Sequence, residues 1–147
     1  MKKILGIELG STRIKSVLID EKGAVIAQGS HEWENKLENG FWTYSLEDVW
    51  TGLQNSYASL VENYGEKITA LDGIGISAMM HGYLAFDKND NLLVPFRTWR
   101  NTTTAQAAEE LTNALNFNMP QRWSGSHFYQ AVLNKEEHVK DVTFITT

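Results

Sequence analysis

Gly6-Ile7-Glu8-Leu9-Gly10-Ser11-Thr12-Arg13-Ile14-Lys15 gathers an acid, a tight glycine, two hydroxyls and a base on what looks like two strands and the turn between them. Phosphate binding is one chemistry that uses this set. Glycine lets a main chain approach an anion, turn amides and the hydroxyls of Ser11 and Thr12 donate to its oxygens, and Lys15 balances charge. Glu8 suits a magnesium ion held through water, because magnesium favours carboxylate and water oxygens. The same residues also make an ordinary hairpin whose Gly and Ser serve only the turn. Spacing by itself leaves both readings open.

A second stretch, Ser77-Ala78-Met79-Met80-His81-Gly82, is a run of small residues closing on a histidine and a glycine. Residues at strand ends in α/β sheets commonly face ligands, and an imidazole there can orient a sugar hydroxyl. A lone histidine is more often a satisfied core or surface group. His31, His127 and His138 have no comparable setting and read as structural. The third stretch, Pro95 to Thr104, holds Arg97, Trp99, Arg100 and Asn101 just ahead of a helical pattern. Such a loop can hydrogen-bond a polyol and cover its apolar face. It can equally be a helix entry in which Asn101 or a threonine caps and Trp99 packs. Trp42, within Phe41-Trp42-Thr43-Tyr44, either lines a sugar site or serves the core; Trp33, Trp50 and Trp123 are assigned to packing.

The elements that position these residues follow from periodicity. Residues 3–9 and 14–19 are apolar runs around the glycine turn, and a third strand over roughly 24–28 follows Asp20-Glu21-Lys22-Gly23, so the chain opens as an antiparallel meander. From Ser45, apolar residues from Leu46 to Tyr64 recur at helical spacing, with Ser45 as N-cap, Glu47 and Asp48 in the first turn, and Gly65 at the stop. Strands are expected over 71–77, 83–86 and 92–94, the last two flanking the turn-rich tip 87–91. Helices are expected over 104–115 and from a cap at Ser126 to about Glu137, and a strand over 142–147. That final strand has no cap or polar tail after it, which gives the expectation of a truncated chain. No linker or repeat marks an internal boundary, so one globular unit is expected.

Composition narrows the classes. The 147 residues are 42% apolar, enough for a substantial core, and the net charge of −5 (13 basic against 18 acidic residues) offers little to nucleic acid or anionic membrane. There are no cysteines, which excludes disulfides and thiolate metal sites and fits a cytoplasmic setting. No apolar run approaches the ~20 residues of a membrane helix, and Glu8 interrupts the start too early for an export signal.

In their order and separation these segments resemble the N-terminal half of the FGGY carbohydrate kinases. Ile7 to Lys15 is similar to the family's phosphate hairpin, D-x-G-T/S with a basic residue downstream. Phe41 to Trp50 resembles its aromatic entry to the first long helix, Ile76 to Gly82 the Q-M-H-G strand of xylulose kinases, and Arg97 to Thr104 the W-N-D-x-R-T segment. The resemblance implies an α/β, ribonuclease H-like fold shared with actin and hexokinase, with a mixed sheet flanked by helices. Residues 1–147 would be most of the N-terminal domain, the C-terminal ATP-binding domain being absent. It further implies ATP and Mg2+ as cofactors, Gly10, Ser11, Thr12 and Lys15 at the phosphate, and Glu8 at the metal through water. A small-molecule sugar would lie near Met80, His81, Gly82, Trp99 and Asn101. The family's catalytic aspartate would lie beyond Thr147, so this piece by itself is expected to be inactive.

This sequence departs from the family pattern at Glu8, which stands for aspartate, at Met79, which stands for glutamine, and at Asn101 and Thr103, which stand for an acid and an arginine. These departures give the expectation of either a substrate other than D-xylulose or weak activity, and Arg100 suits an acidic sugar such as gluconate. The leading expectation is ATP-dependent phosphorylation of a pentulose, sugar acid or polyol. The alternatives are a non-catalytic sugar or nucleotide sensor and a structural ATPase of the actin type. An exposed apolar edge leaves room for a homodimer.

Overall fold

The computed structural model describes residues 2–147. Its elements run β1 (Ile4–Leu9), β2 (Arg13–Ile19), β3 (Val25–Glu32), β4 (Lys36–Glu38), β5 (Phe41–Thr43), α1 (Leu46–Tyr64), β6 (Gly73–Ala78), β7 (Leu84–Phe86), α2 (Ala105–Leu115), α3 (Ser124–Leu133), a 3-10 turn (Glu137–Asp141) and β8 (Phe144–Thr146). They divide into two compact units, one holding residues up to Asn35 with Ser45–Met79, the other Lys36–Tyr44 with Met80–Thr147. The sequence led us to expect one unit. The chain passes between the two at three ordinary-looking junctions, so no linker composition marks the division.

The first unit is a four-stranded mixed sheet ordered β3-β2-β1-β6. The meander is antiparallel as expected, and β6 adds parallel to β1. β3 runs to Glu32, past the expected end at Gln28, because it pairs along the whole of β2 as far as Arg13↔Glu32. One face, with Leu5, Leu18 and Ala27, packs on Leu60 of α1. Ser45 caps that helix by accepting from the amide of Asp48 at 2.9 Å, and Gly65 closes it in the left-handed region.

The helix buries Gly52, Ser56 and Leu60 fully, and Tyr57, Val61 and Tyr64 of the expected face pack partly buried against the core. Trp50, assigned to packing, is 61% exposed. The helix backbone comes close to β3: a Cβ on Gly29 would lie 2.2 Å from the Ser56 carbonyl oxygen, so the strand requires glycine there. The hydroxyls of Ser16 and Ser56 satisfy each other there at 2.8 Å.

In the second unit β4 and β5 form a hairpin that the sequence reading did not find. Its turn is Asn39-Gly40, both at positive φ, which is the two-residue turn that best matches strand twist. β7 pairs with β8, with Phe86 stacked on Phe144 at 4.9 Å between ring centroids, whereas residues 92–94 contribute only an isolated bridge from Leu92 to Phe86. α2 and α3 pack through Ala107, Ala108 and Ala131, and the Gln130 side chain accepts from the Ala107 amide at 3.1 Å. Ser126 does not cap α3. The helix begins at Ser124, and the buried Ser126 hydroxyl donates to the Pro120 carbonyl at 2.9 Å. It ends at Leu133, because Lys135 turns into the left-handed region before the 3-10 turn.

Candidate functional site

The sequence-predicted residues fall into two groups, one in each unit. In the first, Gly10 donates its amide to the Arg13 carbonyl at 3.1 Å and closes the β1–β2 turn. A Cβ on Gly10 would stand 2.7 Å from that same oxygen, so the turn requires glycine. Trp33 holds the turn from behind. Its indole N–H donates to the Gly10 carbonyl at 2.7 Å and its amide to the Thr12 carbonyl at 3.2 Å. The packing role assigned to Trp33 is real, since it is 8% exposed, but its polar atom also fixes the loop. With these two carbonyls engaged by Trp33, Ser11 and the exposed Thr12 form the tip.

Glu8 and Lys15 are cross-strand partners, with Nζ 3.0 Å from Oε2 and both side chains about half exposed. Register sets Ser77 beside Glu8 and Ser30 beside Lys15, so Ser77, Glu8, Lys15 and Ser30 form one polar row across the four strands. A shallow depression of about 490 Å³ on that face is lined by Gly6, Glu8, Lys15, Val17, Gly75 and Ser77 among others. Glycine at two of these positions leaves the surface open. Among the described residues no group of three or more His, Asp or Glu side chains could hold a metal ion. A lone half-exposed carboxylate fits only magnesium bound largely by water and phosphate oxygens.

The second group is built around His81 and Gly82, consecutive residues at φ 71° and 95°. A non-glycine residue there is uncommon and must be held by its surroundings. Gly82 donates its amide to the Arg122 carbonyl at 2.9 Å and accepts from the Ser124 hydroxyl at 2.6 Å. A Cβ on Gly82 would meet the Phe96 ring at 2.8 Å, so glycine is needed for space as well as for backbone. The His81 ring lies parallel to that of Trp123, 6.1 Å between centroids. Met80 is 70% exposed and Trp99 43%.

Asn101 is 2% exposed and uses its amide within the protein. Its Oδ1 accepts from the Trp42 amide at 2.8 Å, and its Nδ2 donates to the carbonyls of Trp42 and Thr98 at 2.9 and 3.0 Å. Asn101 therefore positions Trp42, whose ring carries the Arg100 guanidinium at 3.8 Å.

Beneath this loop lies a polar cluster that the sequence reading did not find. Arg97 pairs with Glu136 through its two terminal guanidinium nitrogens, Glu136 lies 3.5 Å from His138, and the Tyr83 hydroxyl meets His138 Nε2 at 2.9 Å. Burial pushes the Tyr83 hydroxyl up to about 12. His127 stacks on Tyr83, is fully buried, and has no partner on either ring nitrogen. Burial first, then the charge of Arg97, pushes His127 down to about 4, with Glu136 opposing. For Glu136 burial acts upward, but Arg97 prevails and holds its carboxyl below the ordinary value. Trp123, assigned to packing, stands just before α3 and makes no side-chain cap there.

A sequence model of the FGGY family of carbohydrate kinases, N-terminal domain, matches residues 3–131. A xylulose kinase of Lactococcus lactis is 28% identical over 123 residues, covering 78% of this chain and 23% of that protein. An L-fuculokinase of Haemophilus influenzae is 27% identical over 117 residues, covering 74% and 24%. Among solved structures, a xyloylose kinase from Brucella ovis superposes with a TM-score of 0.89 at 20% identity over 98% of this chain and 32% of that one. That likeness shows the fold, which is the actin-like, ribonuclease H-like one. The chain spans about a quarter of the length of the curated relatives it matches.

Proposed function

Because the chain belongs to the FGGY family of carbohydrate kinases, we propose that it serves the ATP-dependent transfer of phosphate to a sugar hydroxyl in the cytoplasm. The observation that carries this reading is the Gly10–Arg13 turn, a loop that tolerates no side chain at Gly10 and whose Gly10 and Thr12 carbonyls are engaged by Trp33. Such a loop suits an anion at its tip. Gly10, Ser11 and Thr12 then receive the phosphate, and Lys15 moves from Glu8 to the phosphate oxygens. Glu8, relieved of its partner, would be the residue that holds magnesium, through water. ATP with magnesium, when bound, supplies the phosphoryl group and neutralises charge as it transfers.

On the substrate side His81 orients a hydroxyl, while Met80, Gly82 and Trp99 bound the ligand and Asn101 acts through Trp42. The substrate class is a pentulose such as xylulose, or a related sugar acid or polyol, with Arg100 favouring the acid. The test is ATP consumption in magnesium across ketoses, aldonates and polyols by the protein that carries this chain, beside equilibrium sugar binding and a His81→Ala variant. One sugar stimulating turnover, with that stimulation lost in the variant, supports the kinase reading. Sugar binding without any turnover would instead identify a sensor.

A further inference from the structure

We propose that Trp123 is the stacking platform of the sugar site, reading the contiguous C–H face of a five- or six-carbon ligand and discriminating against a three-carbon polyol. The proposal rests on His81 being a sugar contact, as proposed above.

Three observations on one loop lead to it. The His81–Gly82 turn is clamped to residues 122–124 by two hydrogen bonds, from the Gly82 amide to the Arg122 carbonyl and from the Ser124 hydroxyl to the Gly82 carbonyl. Whatever His81 touches is therefore close to this loop. The indole of Trp123 lies nearly parallel to the imidazole, with 17° between planes, and Phe117, 59% exposed, approaches it at 6.2 Å. Finally, Trp123 occupies the residue before α3, where Ser, Thr, Asp or Asn would satisfy a helix amide. The ring performs no capping, and it is only partly buried.

An aromatic row beside an imidazole matches the two-sidedness of a sugar. The C–H groups of one face lie against the ring while hydroxyls at its edge meet donors and acceptors. Glycerol presents too short a C–H face to cover an indole. The preference is thus set by ring area, and His81 contributes to all ligands alike.

The test uses the protein that carries this chain and the indole N–H resonances of its tryptophans, with D-xylulose, gluconate and glycerol as probes. The Trp123 signal is identified as the one lost in Trp123→Phe. We expect it to shift saturably with D-xylulose or gluconate. Trp123→Phe, which keeps a ring, should bind within about threefold of the native chain. Trp123→Leu, which keeps apolar bulk without a π face, should weaken sugar binding by about tenfold and leave glycerol binding unchanged.

A merely structural Trp123 would lower the affinity for every probe together, which overturns the proposal. Unchanged sugar affinity in Trp123→Leu with loss in His81→Ala also overturns it while sparing the sugar site. If no probe binds the native chain, the reading of His81 fails and takes the platform with it.

Discussion

The Gly10–Arg13 turn and the cluster around Tyr83 both concentrate polar groups, and they are made in opposite ways. In the turn, the main chain bonds across four residues and to Trp33, and the charges nearby, Glu8 and Lys15, stay about half exposed. In the cluster, Arg97 at 7% and Glu136 at 24% side-chain exposure are ionised inside the protein, and Tyr83 and His127 are fully buried beside them. Exposed charges are free to change partner when a ligand arrives. Buried ones cannot, because an uncompensated ion in the interior is expensive. The turn is thus suited to binding and the cluster to holding β7, the loop at Arg97 and α3 in place.

The difference predicts unequal costs. Arg97→Ala strands the Glu136 carboxylate and should destabilise the protein by about 3–5 kcal/mol, measured by urea unfolding. A cost under about 1 kcal/mol would show that the pair contributes as little as a surface bridge and would break the contrast. Next in size is acid sensitivity. Folded His127 is pushed down to about 4, against an ordinary value of 6.5. Below 6.5 the unfolded chain takes up a proton that the folded chain refuses, so stability falls as pH drops from about 6.5 to about 4. The full shift is worth ~3 kcal/mol. His138 and Glu136, both held below their ordinary values, push in the same direction. His127→Leu loses no hydrogen bond, since neither nitrogen has a partner. Stability measured from pH 7 to pH 4 should therefore flatten in that variant.

The same contrast explains what could be read beforehand. The turn, the Ser45 cap and the antiparallel meander depend on residues a few positions apart, and each was legible from spacing. The Asn39-Gly40 hairpin was equally local, but its aromatic second strand was read as the entry to the long helix, serving the core or a sugar site. The cluster was not legible, because its bonds join Tyr83 to His138 and Arg97 to Glu136, 55 and 39 residues apart. Only the fold brings them together. The inward stripe of α1 was legible in part. Periodicity found Leu60, Tyr57, Val61 and Tyr64, but not the close approach at Gly29 and Gly52, and it placed Trp50 inward where it is exposed. At the candidate site, His81–Gly82 was legible as a strand-end motif, but not the loop at Trp123 that clamps it.

Two smaller effects sharpen the comparison on the turn side. Gly10→Ala places a methyl 2.7 Å from the Arg13 carbonyl and should cost about 1–3 kcal/mol in the same unfolding experiment. Gly75→Ala, with nothing within 4 Å of the added carbon, is the control and should stay within about 0.5 kcal/mol.

Among the charged groups the smallest stability effect belongs to Lys15→Ala. Its bridge to Glu8 is about half exposed on both sides, so solvent and salt screen it and the loss should be below about 1 kcal/mol. If Lys15 exchanges Glu8 for phosphate, the same variant should weaken binding of ADP by about tenfold at low salt, with the deficit shrinking as salt rises. Unchanged ADP affinity together with lost stability would make the pair a structural bridge like Arg97–Glu136. Lost affinity with unchanged stability is the outcome that separates a binding charge from a holding one.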